Sequence, residues 1–404
     1  MLYRLRNTVK HYDWGSPDYI PRLLGLVNNA GEPWAELWMG VHPSGPSRVL
    51  RGEEETPLAE LIAEDPALYL GGEAAERFGG LPFLFKLLAA GKPLSIQAHP
   101  NLEQAREGFK RENEAGIPLD AANRNYRDSN HKPEIVCAIT PFTALCGFRE
   151  PDEIKELFGA VLGPAPRRLR DNLGPLEEAL ALPVPRQALR SFLAALFALP
   201  PGAAGELCSF LAGPGGAGPP AGGTAGSAAR AARAQAARFA ALYPGDPSVI
   251  APLYLNLITL RPGEAIFLPA GVLHAYIEGF AVELMANSDN VLRGGLTGKH
   301  IDVPELMRVL DFSPGKLRIL TADPLSGLYA SPCLEFSLRM LRGEGGKGRR
   351  AEEGPSITVV TEGAPRLFSG EILPGGNSVF IPAGNTAGLE GDFTAFAASI
   401  PAPA

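Results

Sequence analysis

Two short stretches of this chain repeat one another, and they constrain its fold more than any other feature. Pro262-Gly263 leads into Ile266-Phe267-Leu268-Pro269-Ala270-Gly271. Pro374-Gly375 leads, with one extra residue, into Val379-Phe380-Ile381-Pro382-Ala383-Gly384. Each copy reads as turn, buried strand, turn, next strand. Short strands punctuated by Pro and Gly in this way are expected in double-sheet β-barrels of the jelly-roll type. A chance likeness between two hairpins is the plain alternative, since Pro-Gly turns are common. Two related barrels account for more of the chain.

With 404 residues the chain is too long for one ordinary core, and four zones separate along it. Residues 1–150 hold short apolar runs broken by Gly and Pro, such as Leu81–Leu88, which reads as strand or buried helix. Residues 151–250 change period. Ile154, Leu157, Phe158 and Val161 follow a Pro151-Asp152 helix start, and Leu189, Phe192, Leu193 and Leu196 repeat the spacing. Gly213–Gly226 reads as a loop, and Ser227–Leu242 as an Ala- and Arg-rich helix. Residues 251–315 and 316–404 return to strands, with a Gly-rich linker at Gly343–Gly348. The expected fold is mainly β: one barrel built from 1–150 and 251–315, a helical insertion over 151–250, and a second barrel over 316–404.

Composition narrows the function classes. Apolar residues make up 45% and charged residues 20%, as in soluble globular proteins. A net charge of -7, with no Lys/Arg run, argues against broad nucleic-acid binding. No segment reaches the ~20 apolar residues of a membrane span, and no signal peptide opens the chain. Cys137, Cys146, Cys208 and Cys333 form no CxxC pair and read as free thiols. These features point to the cytoplasm.

Three segments carry metal-binding chemistry. In Pro93–Pro100, apolar Leu94, Ile96 and Ala98 alternate with Ser95, Gln97 and His99, so a strand here projects Gln97 and His99 from one face. Taken alone, a hydrogen-bonded polar pair is the commoner meaning. In His131-Lys132-Pro133-Glu134, the carboxylate stands at the mouth of an apolar run and needs a cation or a metal beside it; a Lys132–Glu134 surface pair is as good a reading. In Leu268–Tyr276, His274 sits inside an apolar strand, where a satisfied core histidine is common. The repeat shifts that balance, because its second copy has Ala387 at the matching position. One amide, two imidazoles and one carboxylate without a thiolate suit Zn²⁺ or another borderline divalent ion. Asn287–Thr297 then reads as a binding loop in which Arg293 can fork onto anionic oxygens, although in isolation a surface arginine is the commoner meaning.

These motifs resemble those of type I mannose-6-phosphate isomerases, the zinc-dependent cupin class. The likeness runs almost end to end. It takes in Tyr12–Gly15, Ala35–Gly40, His42–Pro46, Leu81–Lys86, Ser95–Pro100, His131–Glu134, Leu268–Tyr276 and Asp289–Thr297 with Lys299. The Gly/Ala/Pro-rich stretch at 213–226 departs from it. The resemblance implies two cupin barrels plus an α-helical domain. It implies one Zn²⁺ per chain on Gln97, His99, Glu134 and His274, and an active-site role for Arg293. It also puts Lys86, Ser95, Lys132, Glu283 and Asp289 in or near a sugar-phosphate pocket. The implied reaction moves a proton between C1 and C2 through a cis-enediol. Lys132, Glu283, His131 and a zinc-bound water remain open as the base. A non-catalytic sugar-phosphate-binding cupin and an iron cupin oxygenase are the competing classes, and the sequence does not set an oligomeric state.

Overall fold

The computed structural model describes residues 1–51, 54–213, 224–345 and 349–401. It is a mixed sheet-and-helix molecule in which every named strand pairing is antiparallel. An eleven-stranded sheet and an eight-stranded sheet dominate, with a small three-stranded sheet beside them.

One strand, His274–Ala286, organises the larger sheet. Its second half pairs with Phe83–Ala90 on one side and Glu134–Ala138 on the other. Its first half pairs instead with Ile96–Ala98 and Phe142–Phe148. The change of partners falls at Gly279, where φ is +123° and an added Cβ would lie 2.6 Å from the Pro141 carbonyl. Only glycine fits that bend. The strand therefore joins two groups of partners, and His274, in its first half, and Glu134, paired with its second half, come from the two groups.

Leu81–Leu88, which allowed helix or strand, falls largely in the Phe83–Ala90 strand. Both of its faces are buried, which explains why periodicity alone did not decide it. The two repeats form matching local structures. Glu264–Leu268 and Ser378–Ile381 are strands, each followed by a Pro-Ala-Gly turn whose glycine has positive φ. They lie in different sheets.

Helices Pro151–Leu162, Arg167–Leu180, Pro185–Phe197, Pro201–Ala212 and Thr224–Leu242 fill the middle of the chain. Ile154, Leu157, Phe158, Val161, Leu189, Phe192, Leu193 and Leu196 are all buried there. Their core continues into Ile96, Ala98, Leu273 and Leu292, so the helices brace the sheet layer that carries part of the site. Most of the Gly213–Gly226 stretch, and residues 346–348 of the Gly-rich linker, lie outside the described residues.

One arrangement differs from the zones drawn on sequence. Tyr3–Arg6, Arg48–Arg51 and Glu54–Pro57, from the first zone, join the C-terminal eight-stranded sheet, with Tyr3 opposite Phe380. A strand's own pattern says which face is buried but not which partner it finds. The two large sheets also share a core, in which Phe83, Phe85 and Val282 pack with Ile357, Val359 and Phe380. Among the described residues no single helix is long and apolar enough to cross a membrane. The four cysteines are free and buried.

Candidate metal centre

Glu134 opens a strand whose register sets it between Leu268 and Met285, and it is only 1% exposed. Its Oε1 lies 3.3 Å from His99 Nε2, and its Oε2 lies 3.4 Å from His274 Nε2. Lys132 Nζ is 3.3 Å from Oε1, and the Tyr276 hydroxyl 3.5 Å from Oε2.

The second ring nitrogen of each histidine defines its tautomer. His99 Nδ1–H donates to the Asn290 carbonyl at 2.7 Å, and His274 Nδ1–H donates to the Val272 carbonyl at 3.0 Å. Both Nε2 atoms thus carry lone pairs. Both are buried, and although they lie near Glu134, neither makes a hydrogen bond among the described residues. Two lone pairs and a carboxylate, all within 4.8 Å of one another, repel unless a proton or a cation lies between them. A proton is the poorer choice, because burial and the Lys132 charge push His99 down to about 4. Burial works against the Glu134 carboxylate too. The surrounding imidazoles and Lys132 outweigh it and hold the group well below the usual carboxylate range. These nitrogen and oxygen donors fit a divalent cation of the zinc type.

Gln97 belongs to the same row of the sheet. Its Cα pairs with His274 on one side and with Arg293 on the other. Gln97 and Glu134 both line a cavity of about 460 Å³. Lys86, Ser95, Lys132, Glu283, Asp289 and Arg293 line it as well. The sequence-predicted residues, which are far apart along the chain, therefore meet. His131 does not join them. Its Nε2 turns outward to Glu335 Oε1 at 2.8 Å.

Deep in the cavity Lys86 Nζ lies 2.9 Å from Glu283 and 3.3 Å from Glu36. Burial opposes the ammonium, but the two carboxylates prevail and hold its pKa well above the usual lysine value. For Glu283 burial prevails over Lys86 and raises the pKa. Trp38 Nε1 donates to the other Glu36 oxygen at 2.8 Å, so Glu36 is held from both sides. The Arg293 side chain is half-buried, and its guanidinium has no hydrogen-bond or ion-pair partner among the described residues. Lys92 and Lys299 line the cavity too and are its exposed lysines.

Glu36, Trp38, Tyr276 and Asn290 stand out in the structure and not in the sequence motifs. The alternation Glu36-Leu37-Trp38 was a signal for the first two, and His274-Ala275-Tyr276 for the third. Asn290 contributes through its backbone carbonyl, for which side-chain patterns give no signal.

The family model "Phosphomannose isomerase type I, catalytic domain" matches residues 2–151. Mannose-6-phosphate isomerase of Escherichia coli (strain K12) is 38% identical over 391 residues, covering 95% of both chains. The chain belongs to the type I phosphomannose isomerase family. Another family member, from Salmonella typhimurium, is 40% identical over 394 residues, again with 95% of both chains covered. The human enzyme of that name is 36% identical over 361 residues, or 83% of this chain and 81% of its own. A solved mannose 6-phosphate isomerase described as "holo; zinc bound" superposes with a TM-score of 0.86 at 35% identity, over 99% of this chain and 100% of its own.

Proposed function

We propose that this family member interconverts mannose 6-phosphate and fructose 6-phosphate, with one zinc ion held by Gln97, His99, Glu134 and His274. The observation that carries this reading is the pair of unpartnered His99 and His274 Nε2 lone pairs facing Glu134 beside a cavity rich in cations. We also infer that the two groups of strands around His274–Ala286 form one cupin barrel, and that the eight-stranded sheet with its three-stranded partner forms a second barrel without ligands. The domain division is 1–150 with 251–315, then 151–250, then 316–404, and the first zone lends three strands to the last.

When bound, the ion supplies a fixed positive charge that polarises a carbonyl and steadies developing negative charge. The charge balance favours a phosphorylated ligand. Asp13, Glu36, Glu134, Glu283 and Asp289 line the cavity together with Lys86, Lys92, Lys132, Arg293 and Lys299, five acids to five bases, so its wall is neutral before a divalent cation is added. The added charge of the cation then matches a phosphate of about two negative charges. Lys92 and Lys299, the exposed lysines of the cavity wall, receive that phosphate. Arg293, level with Gln97 and His274 in the sheet, receives the oxygens of the reacting carbons.

A proton has to leave C2 and arrive at C1. Glu283 is the group suited to carry it. Burial raises its pKa, the direction that suits a carboxylate to accept a proton and give it back. Lys86, anchored by Glu36, steadies the ionised form. His131 faces away from the cavity and takes no part in this transfer. A coupled assay that follows fructose 6-phosphate tests the reading. Turnover should vanish with a chelator and return with zinc. A protein that binds the sugar phosphate without turning it over would be a binding module, and oxygen uptake would identify an oxygenase.

A further inference from the structure

Outside the cavity wall, one imidazole is tied to a cavity residue. His42 is buried and sits edge-on to Trp38, with ring centroids 4.9 Å apart and planes at 82°. The Ser44 backbone N–H donates to His42 Nδ1 at 3.2 Å, so that nitrogen carries a lone pair and the proton resides on Nε2. Nε2 lies 3.2 Å from Asp289 Oδ2. The ring is thus fixed in position by Trp38, fixed in tautomer by Ser44, and aimed at a carboxylate that lines the cavity.

Asp289 needs such a tether. It is on a loop, and its side chain is 44% exposed. Its backbone N–H is held by Asp128 Oδ2 at 2.8 Å, which fixes the main chain but leaves the carboxylate free to turn. Without the imidazole the carboxylate has two competing cations to swing toward, Lys132 and Arg127, whose charges both act on it. A carboxylate that rotates among partners is a poor acceptor for a ligand hydroxyl at one fixed place.

We propose that His42 is a positioning residue: its Nε2–H holds the Asp289 carboxylate in the cavity wall, where that carboxylate accepts a hydroxyl of the sugar phosphate. The proposal rests on the isomerase reading for the identity of the ligand. His42 touches no substrate itself. Its effect reaches the substrate through Asp289, so the two residues act as one unit.

The test uses side chains that separate the two bonds of His42. His42→Asn keeps an acceptor where Nδ1 stood but is too short to reach Asp289. His42→Gln places an amide N–H near the former Nε2. Initial rates with mannose 6-phosphate are measured for both, together with Asp289→Asn and the double variant His42→Asn/Asp289→Asn, with zinc content and thermal midpoint as controls. His42→Asn should lower kcat/KM by about tenfold, chiefly through KM, at unchanged zinc content. Gln should recover at least about threefold of that loss. The double variant should be no worse than Asp289→Asn alone, because the two residues form one unit. Equal rates for Asn and Gln, or losses that multiply in the double variant, would overturn the proposal. If His42→Asn does not fold, Gln against wild type at fixed Asp289→Asn decides the same point: any effect of Gln that persists without the Asp289 carboxylate contradicts it. Absence of turnover in the wild-type protein would instead refute the isomerase reading.

Discussion

The backbone carbonyl of Asn290 lies 2.7 Å from Nδ1 of His99, and this contact fixes which nitrogen of the imidazole faces Glu134. The Asn290 side chain is fully buried and holds the loop before the His131–Glu134 segment. Its Oδ1 accepts from the backbone N–H groups of Arg127 and Asp128, and its Nδ2 donates to the carbonyls of Asp128 and Asn130. Asn290→Ala removes these bonds and frees the carbonyl. Outer partners of ligating histidines carry about ten- to hundredfold in metal affinity. Competition against a chromogenic chelator should show a zinc affinity weakened to that extent.

Lys86 neutralises two buried carboxylates at once. Lys86→Met leaves Glu36 and Glu283 facing each other without a cation, and breaking a buried pair in this way costs about 3–5 kcal/mol. Urea unfolding should show a midpoint lowered accordingly. The double variant Lys86→Met/Glu283→Gln should recover part of the loss, because one of the uncompensated charges is gone.

The Glu335–His131 contact gives a pH signature. Burial opposes the Glu335 carboxylate, but hydrogen bonds from His131 and Cys333 outweigh it and hold the pKa at about 2, against an ordinary value of 4.5. A carboxyl depressed on folding contributes stability above its unfolded pKa and loses it as pH falls toward the folded one. Glu335→Gln should therefore cost about 1–2 kcal/mol near neutrality. The gap to wild type should shrink as pH falls below 4.5 toward 2, which urea unfolding at a series of pH values measures.

The two residues after Gly294 determine where the Arg293 strand ends. Gly295 has φ +136°, and a Cβ there would sit 1.9 Å from Ser248 Oγ. Leu296 follows with φ +51°, its N–H donating to Asp246 Oδ2 at 2.7 Å and to Ser248 Oγ at 3.0 Å. Gly295→Ala should disrupt this anchor and cost about 1–3 kcal/mol. Its turnover should fall together with that of Arg293→Ala, while both variants keep their zinc. An Arg293→Ala enzyme retaining both zinc and most of its turnover would remove the arginine from the reaction.

Much of the site was legible in the sequence because its residues sit in strongly patterned strands. Alternation through Ser95, Gln97 and His99 predicts a shared face, and Ser95 and Gln97 line the cavity together. The missing imidazole at Ala387 marked His274 as more than core. The helices announced themselves through Leu189, Phe192, Leu193 and Leu196. Pairings between distant segments were not legible. Nothing in Tyr3–Arg6 indicates Ser378–Ile381 as its neighbour, since long-range register is decided by packing. The Lys86–Glu36 pair was hidden for the same reason. It depends on Glu36–Gly40 pairing with Phe83–Ala90, with Trp38 opposite Lys86.

The most direct test of the metal centre is a zinc-edge anomalous difference map from crystals of the protein. One peak per chain is predicted, in contact with Nε2 of His99, Nε2 of His274, a Glu134 oxygen and the Gln97 amide. A peak elsewhere with none at this site, from crystals whose dissolved protein still turns over mannose 6-phosphate, would contradict it.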